Sequence, residues 1–366
     1  MAVPPVYATR RLDFLDCSLI TLFLLGLYLG VALPVTSKIP LTCAPSGFAG
    51  LIVLWRRRDQ IHPRHLAGLL AVVVVYLCSI LAASNYEFLS KRFTGLLQLT
   101  YSLVIAYAIF LTLVHGERRQ IAAILLGFCI LIIIGCLLEA DAGLRSLSDA
   151  VRERVFDASI VYDADLRDQI LYGRVRPKLF TSEPSAVTFA YTHYRAVWLV
   201  VSPWRWKLPV YLGMIGMALF VLPGPTLVLM LLLMVPYLIF LAGAKPGGRP
   251  SATRLVGALA ASAVLVGLAI VLGRVFFAER LNELAEGRDA SFFYRFTDPM
   301  LVAFDMLRSY PLAGAGLTGE PFIADRVLDV FMNSPPSRPP GPSPGWPTRS
   351  PTISGCTGSI SAWCGA

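Results

Sequence analysis

Long apolar runs separated by short polar breaks dominate this chain of 366 residues. They lie near 13–34, 39–55, 66–84, 94–114, 120–138, 186–202, 208–222, 225–243 and 254–273. Each is continuous rather than strictly alternating, and most are too long for strands, so the pattern predicts helices. A helix needs roughly 20 apolar residues to cross about 30 Å of hydrocarbon. Most runs meet or approach that length. The run at 186–202 is shorter and carries His193 and Arg195 inside it. The expected fold class is all-α, a polytopic transmembrane helical bundle of about nine spans, with residues 1–334 as one membrane domain.

Basic residues sort the connections into two groups. Arg10 and Arg11 precede the first run, and Arg56, Arg57, Arg58 and Arg64 follow the second. Arg118 and Arg119 follow the fourth, Arg205 and Lys207 the sixth, and Lys245, Arg249 and Arg254 the eighth. These connections alternate along the chain, and the bias of short loops toward Lys and Arg on the inner side places them in the cytoplasm. The alternation requires the weak sixth run to cross. The first run exceeds a secretory leader's apolar stretch of about 7–15 residues, so it reads as a retained span.

The opposite side then receives two long segments, about 139–185 and 274–320. The first sets Arg145, Arg152, Arg154, Arg167, Arg174, Arg176 and Lys178 against nine carboxylates. Leu147, Val151 and Val155 repeat at helical spacing there, predicting an amphipathic helix whose apolar face lies on the membrane surface or on neighbouring spans. The stretch 335–366 is rich in Pro, Ser and Gly. It reads as a disordered appendage or, in the favoured reading, as out-of-frame sequence replacing a continuing membrane pattern.

Composition agrees with the pattern: 56% of residues are hydrophobic, 15% charged, and the mean hydropathy is +0.65. That excludes an ordinary soluble domain. Positive-inside loops account for the formal charge of +9 without a nucleic-acid partner. Cys17, Cys43, Cys78, Cys129 and Cys136 sit in or beside apolar runs, Cys356 and Cys364 in the tail, and none has zinc-site spacing. No metal or other cofactor is expected.

Two constellations carry chemistry. Arg174-Val-Arg176-Pro-Lys178-Leu179-Phe180-Thr-Ser182-Glu183-Pro184-Ser185 lies where the first long segment returns to the membrane. Ser182 suits a helix N-cap, Glu183 the positive helix end and Pro184 the first turn. The cations ahead of them suit a phosphate, with Glu183 as general base or hydroxyl ligand. The second is Arg288-Asp289-Ala-Ser291-Phe-Phe-Tyr294-Arg295, followed by a helix to about residue 309 and a turn at Pro311-Leu-Ala-Gly-Ala-Gly316. An amphipathic surface helix with snorkelling arginines accounts for it. So does sugar binding, in which aromatic rings stack on sugars and arginines pair with phosphate.

Through the 179–185 segment, the Arg295 helix and the 311–316 turn, the chain resembles the O-antigen ligase/O-antigen polymerase superfamily of bacterial polysaccharide assembly, over roughly residues 90–330. The motifs are short and degenerate. The resemblance implies transfer of an undecaprenyl-diphosphate-linked oligosaccharide on the periplasmic face of the inner membrane, without nucleotide sugar or metal, beside other polysaccharide assembly proteins. By that analogy Glu183 and Arg295 are catalytic. Arg174, Arg176, Arg288, Tyr294 and His193 bind diphosphate or glycan, Arg176 foremost. The chain departs from the family in having no histidine after the Gly-x-Gly turn, and in Gly224-Pro225-Thr226 where relatives carry Ser-Arg. These departures favour a polymerase-type relative over a ligase. A lipid-glycan flippase or other multi-span transporter, and an inactive remnant of the polymerase, are the alternatives.

Overall fold

The computed structural model describes residues 10–36, 39–81, 89–157, 161–243, 252–311 and 323–337. Lys38, Asn85, Lys245, Arg249, most of the 311–316 turn and the tail from 338 onward lie outside the described residues. Among the described residues the secondary structure is helical apart from a two-stranded ribbon, Leu33–Thr36 paired with Ile39–Leu41. Among the described residues four helices are long and apolar enough to cross a membrane: α3 (Pro63–Leu81), α4 (Leu89–His115), α5 (Arg118–Asp141) and the part Leu255–Ala285 of α11 (Ala252–Ala285). Shorter apolar helices are α1 (Phe14–Leu29), α9 (Lys207–Val221) and α10 (Pro225–Gly243).

Two expectations need correction. The run 39–55 begins in the ribbon, and only α2 (Ala44–Arg56, 13 residues) is helical. At about 1.5 Å per residue it covers about 20 Å, short of a hydrocarbon core. The cause is local: Pro40 is excluded from a helix interior, whereas Pro45 fits the first turn of α2. The ninth run does not stop at residue 273. Its helix continues to Ala285, with one non-helical residue at Phe277.

The chain divides into two compact units. The first comprises Met1–Val35, Pro40–Gln60 and Val104–Leu281; the second comprises Thr36–Ile39, Ile61–Leu103 and Asn282–Ala366. The first is organised around α8 (Pro184–Val201), which packs on α1, α5, α9 and α10. Tyrosine hydroxyls pin these helices to one another's carbonyls. Tyr194 donates to Leu24 O at 2.5 Å, Tyr191 to Met214 O at 2.9 Å, and Tyr237 to Leu199 O at 3.4 Å. The α1–α2 crossing is close because Gly26 has no side chain. A Cβ there would lie 2.5 Å from both the backbone nitrogen and the hydroxyl of Ser46.

The ends of this first unit are chemically distinct. At one end Arg10 pairs with Gly116, Gln120 exchanges hydrogen bonds with the backbone of Leu12, and Arg56 lies 2.7 Å from Asp13. The starts of α1 and α5 and the end of α2 therefore lie together, bringing Arg10, Arg11, Arg56, Arg57, Arg118 and Arg119 to one end. At the other end Tyr28, near the end of α1, donates to Leu179 O at 2.8 Å, and Glu139, near the end of α5, accepts from Lys178 and Leu179. The segment 139–183 occupies this second end.

In the second unit, α3 buries only Ile80 among its described residues, while Leu66, Leu70, Val74 and Val75 are exposed. A short helix α12 (Ala290–Phe292) runs through a π-turn, Phe293–Thr297, into α13 (Asp298–Ser309). Helix α14 (Ala324–Asn333) packs on α13 and leads to a 3-10 turn, Pro335–Ser337.

Candidate functional site

The segment 139–183 folds around buried polar groups. Its first helix, α6 (Arg145–Val155), is amphipathic as predicted, but the face it buries holds Ser148 and Arg152, while Leu147 and Val155 are exposed. The backbone requires those two polar residues. Leu179 (φ 34°) and Phe180 (φ 64°) form a left-handed turn without glycine, a conformation costing about 1–3 kcal/mol per residue. Buried Glu139 accepts from Lys178 N at 2.9 Å and Leu179 N at 2.5 Å, and Ser148 Oγ accepts from Phe180 N at 2.9 Å. Leu179 packs where Gly135 leaves room: a Cβ on Gly135 would lie 2.7 Å from it.

Arg152 is a buried tie for the next residues. Its Nε donates to Thr181 O at 2.7 Å, its Nη2 to Ser182 O at 2.9 Å and Tyr162 O at 3.2 Å, and its Nη1 to Asp149 at 2.6 Å. A second tie starts from Asp168 in α7 (Asp165–Tyr172), which is fully buried. Arg176 donates to it from Nε at 3.0 Å, from Nη2 at 2.8 Å and from its backbone at 3.3 Å, and Tyr162 donates its hydroxyl at 2.9 Å. The Arg176 guanidinium lies 4.5 Å from the centre of the Tyr172 ring. Burial by itself would lower the Arg176 pKa, but hydrogen bonding to Asp168 and the surrounding charges raise it overall. Burial, reinforced by Asp168, pushes the Tyr162 phenol up. Lys178 is buried too, 3.0 Å from Asp165.

Among the predicted binding residues of this unit, Arg176 is thus engaged internally, whereas Arg174 is exposed. Burial of part of the Arg174 side chain lowers its pKa against the pull of Asp141. Glu183, not Ser182, is the N-cap residue of α8, with extended backbone (φ −149°, ψ 155°) and Pro184 next. The Glu183 carboxylate accepts from the Ser185 hydroxyl rather than from the helix backbone. The Ser182 carbonyl is held by Arg152 and by Tyr162 N at 3.0 Å, so the capping role expected of Ser182 passes to the next residue. His193 is on the exposed face of α8, its ring 4.0 Å from that of Phe189 and its Nδ1 2.8 Å from Phe189 O.

The second unit carries the other three predicted residues. Asp289 caps α12 by accepting from Phe292 N at 3.2 Å. Arg288 is exposed and paired with Glu286. Tyr294 and Arg295 fall in the π-turn, a distortion frequent at functional sites. Tyr294 stacks on Phe331 at 5.4 Å and shares a 2.9 Å hydrogen bond with Ser337, while Arg295 is exposed. Asp298 is fully buried and, among the described residues, neither of its carboxylate oxygens has a hydrogen-bond partner. Its burial raises its pKa, against the pull of the Ser334 hydroxyl.

Sequence reasoning did not single out Glu139, Ser148, Arg152 or Asp168 as organisers of the segment. The spacing of Ser148 and Arg152 by four residues was the available signal, since it puts both on one helix face. Among the described residues no cluster of three or more His, Cys, Asp or Glu is placed to hold a metal ion. No protein-family model matches the chain, and no significant match exists among curated proteins or solved structures.

Proposed function

We propose that the chain is a membrane glycosyltransferase that polymerises or ligates undecaprenyl-diphosphate-linked glycan on the periplasmic face of the bacterial inner membrane, in O-antigen or exopolysaccharide synthesis. In this reading α1, α8, α9 and α10 cross the membrane, as do the four long apolar helices, and the N-terminus is cytoplasmic. The observation that supports it is the separation of the two ends of the first unit: paired backbone and ion pairs gather Arg10, Arg56 and Gly116 at one end, while 139–183 folds at the other. That is the arrangement expected if basic loops are retained inside and an arginine-bearing segment meets a lipid-linked donor outside.

In the reaction an acceptor hydroxyl oxygen attacks the anomeric carbon of the donor sugar. The bond from that carbon to the diphosphate oxygen breaks, undecaprenyl diphosphate leaves, and the hydroxyl proton passes to a base. Glu183 is the candidate base. Arg295, Arg288 and Arg174, all exposed, are the candidates to neutralise charge on the departing diphosphate. Arg176, bound to Asp168, acts as a positioning residue for Arg174 and Glu183, and Tyr294 offers a ring to a sugar. Cells carrying Arg295→Ala should insert the protein normally yet make no long-chain polysaccharide; wild-type chain length would remove Arg295 from the site.

A second reading, a lipid-glycan flippase, is favoured by one observation: fully buried Arg195 inside α8. Cells lacking the gene separate the two. A transferase defect leaves single lipid-linked repeat units outside the membrane, and a flippase defect leaves them inside.

A further inference from the structure

Arg195 is the most anomalous side chain of the first unit. It is fully buried in the interior of α8, and among the described residues its Nε, Nη1 and Nη2 have no hydrogen-bond partner. Its surroundings are aromatic and apolar. The guanidinium carbon lies 4.5 Å from the Tyr211 ring centre and 5.4 Å from that of Tyr191. The two phenol oxygens lie within weak hydrogen-bonding reach of the guanidinium, but none of its three nitrogens meets the distance and angle of a full hydrogen bond, and Tyr191 donates its hydroxyl to Met214 O. Among the described residues no carboxylate forms an ion pair with Arg195, in contrast to Arg152 and Arg176.

A guanidinium does not solve this problem by losing its proton, as a buried lysine does. An unpaired buried charge costs several kcal/mol. Contact with two tyrosine rings offsets only part of that cost. The five N–H groups along the edge form a planar fork that matches an oxyanion in two-point contact.

We propose that Arg195 is an internal anion site between α8 and α9, taking one phosphate-type oxyanion, with Tyr191 and Tyr211 as the aromatic walls that hold the fork in place. Because Arg195 is fully covered, the anion arrives only as α9 and Tyr211 shift off the guanidinium edge, so occupancy couples to the packing of these two helices. The site stands on the buried fork alone and is independent of glycan transfer. The oxyanion has two possible sources, an anionic lipid headgroup or a phosphate or diphosphate from solution.

The test uses the full chain in lipid nanodiscs, with thermal unfolding followed by tryptophan fluorescence; Trp198, buried one turn along α8, is a local reporter. Wild-type protein in phosphatidylcholine discs is titrated with inorganic phosphate and with pyrophosphate, and compared with protein in phosphatidylglycerol discs. A rise in Tm with added phosphate or pyrophosphate assigns a soluble source, and a rise only in phosphatidylglycerol assigns a lipid. In either case Arg195→Met should bind the anion at least roughly tenfold more weakly, and Arg195→Lys, which keeps the charge but not the fork, should fall between. A wild-type Tm that ignores all three anions would overturn the proposal and leave Arg195 as an aromatic-stacked pin. An unchanged anion response in Arg195→Lys and Arg195→Met would overturn it as well. Should Arg195→Met not fold, the Lys variant and the wild-type titration decide.

Discussion

The segments 139–183 and 288–298 read alike in sequence, as arginines and aromatics mixed with carboxylates beside apolar helices, yet the fold uses them differently. In the first, the charges turn inward. Glu139 and Arg152 hold backbone, and Asp168 holds Arg176, at distances of 2.5–3.2 Å. In the second, Arg288 and Arg295 are exposed while Asp298 is buried without a hydrogen bond among the described residues. The difference teaches that an arginine's role depends on what its neighbours leave unsatisfied. A left-handed turn at Leu179 and Phe180 presents buried backbone N–H and C=O groups that only charged or hydroxyl side chains reach. In the π-turn at 293–297 the arginine is instead exposed.

The strongest test of this contrast is Arg152→Met, which strands the carbonyls of Thr181, Ser182 and Tyr162. It should lower stability by about 3–5 kcal/mol, seen as a reduced Tm. Arg176→Ala comes next, at about 3 kcal/mol, because Asp168 stays buried without its main partner. Were either variant as stable as wild type, the inward network would not hold the segment. Arg295→Ala should behave oppositely: stability within about 0.5 kcal/mol of wild type and, under the proposed function, transfer down by about 100-fold or more in a chain-length assay.

Asp298→Asn sharpens the other side of the comparison. A carboxyl whose pKa is raised on folding favours the native state while protonated. Its contribution is full below the ordinary carboxylate range and is lost as the pH rises through its elevated native value. Wild-type stability should therefore decline over that interval, and the Asn variant should lack the decline and gain about 1 kcal/mol at neutral pH. Parallel pH profiles for the two proteins would show that Asp298 has an internal partner after all. The smallest effect belongs to Leu147→Ser on the exposed face of α6, within about 0.5 kcal/mol when Tm is measured in detergent.

Hydropathy was enough to find most of the apolar helices. Apolar length alone identifies α3, α4, α5 and α11 as able to cross a membrane, because a lipid-facing helix must be apolar on its outer surface. In the first unit the starts of α1 and α5 and the end of α2, three of the basic positions along the chain, lie together. What the sequence did not reveal is that its weakest run forms the centre of that unit: α8 buries Thr188, Tyr191, Thr192, Tyr194 and Arg195 against four helices. A buried helix is free to carry polar groups that neighbours satisfy, so its hydropathy understates its importance. Likewise the paired residues Asp168 and Arg176, or Arg152 and the Thr181 carbonyl, are separated along the chain by loops and become partners only when the backbone closes. Sequence thus determined where the apolar helices lie, since that follows from local apolar content. Tertiary structure alone decided which charges are buried and which are exposed, because that depends on the backbone groups each fold-specific turn leaves without a partner.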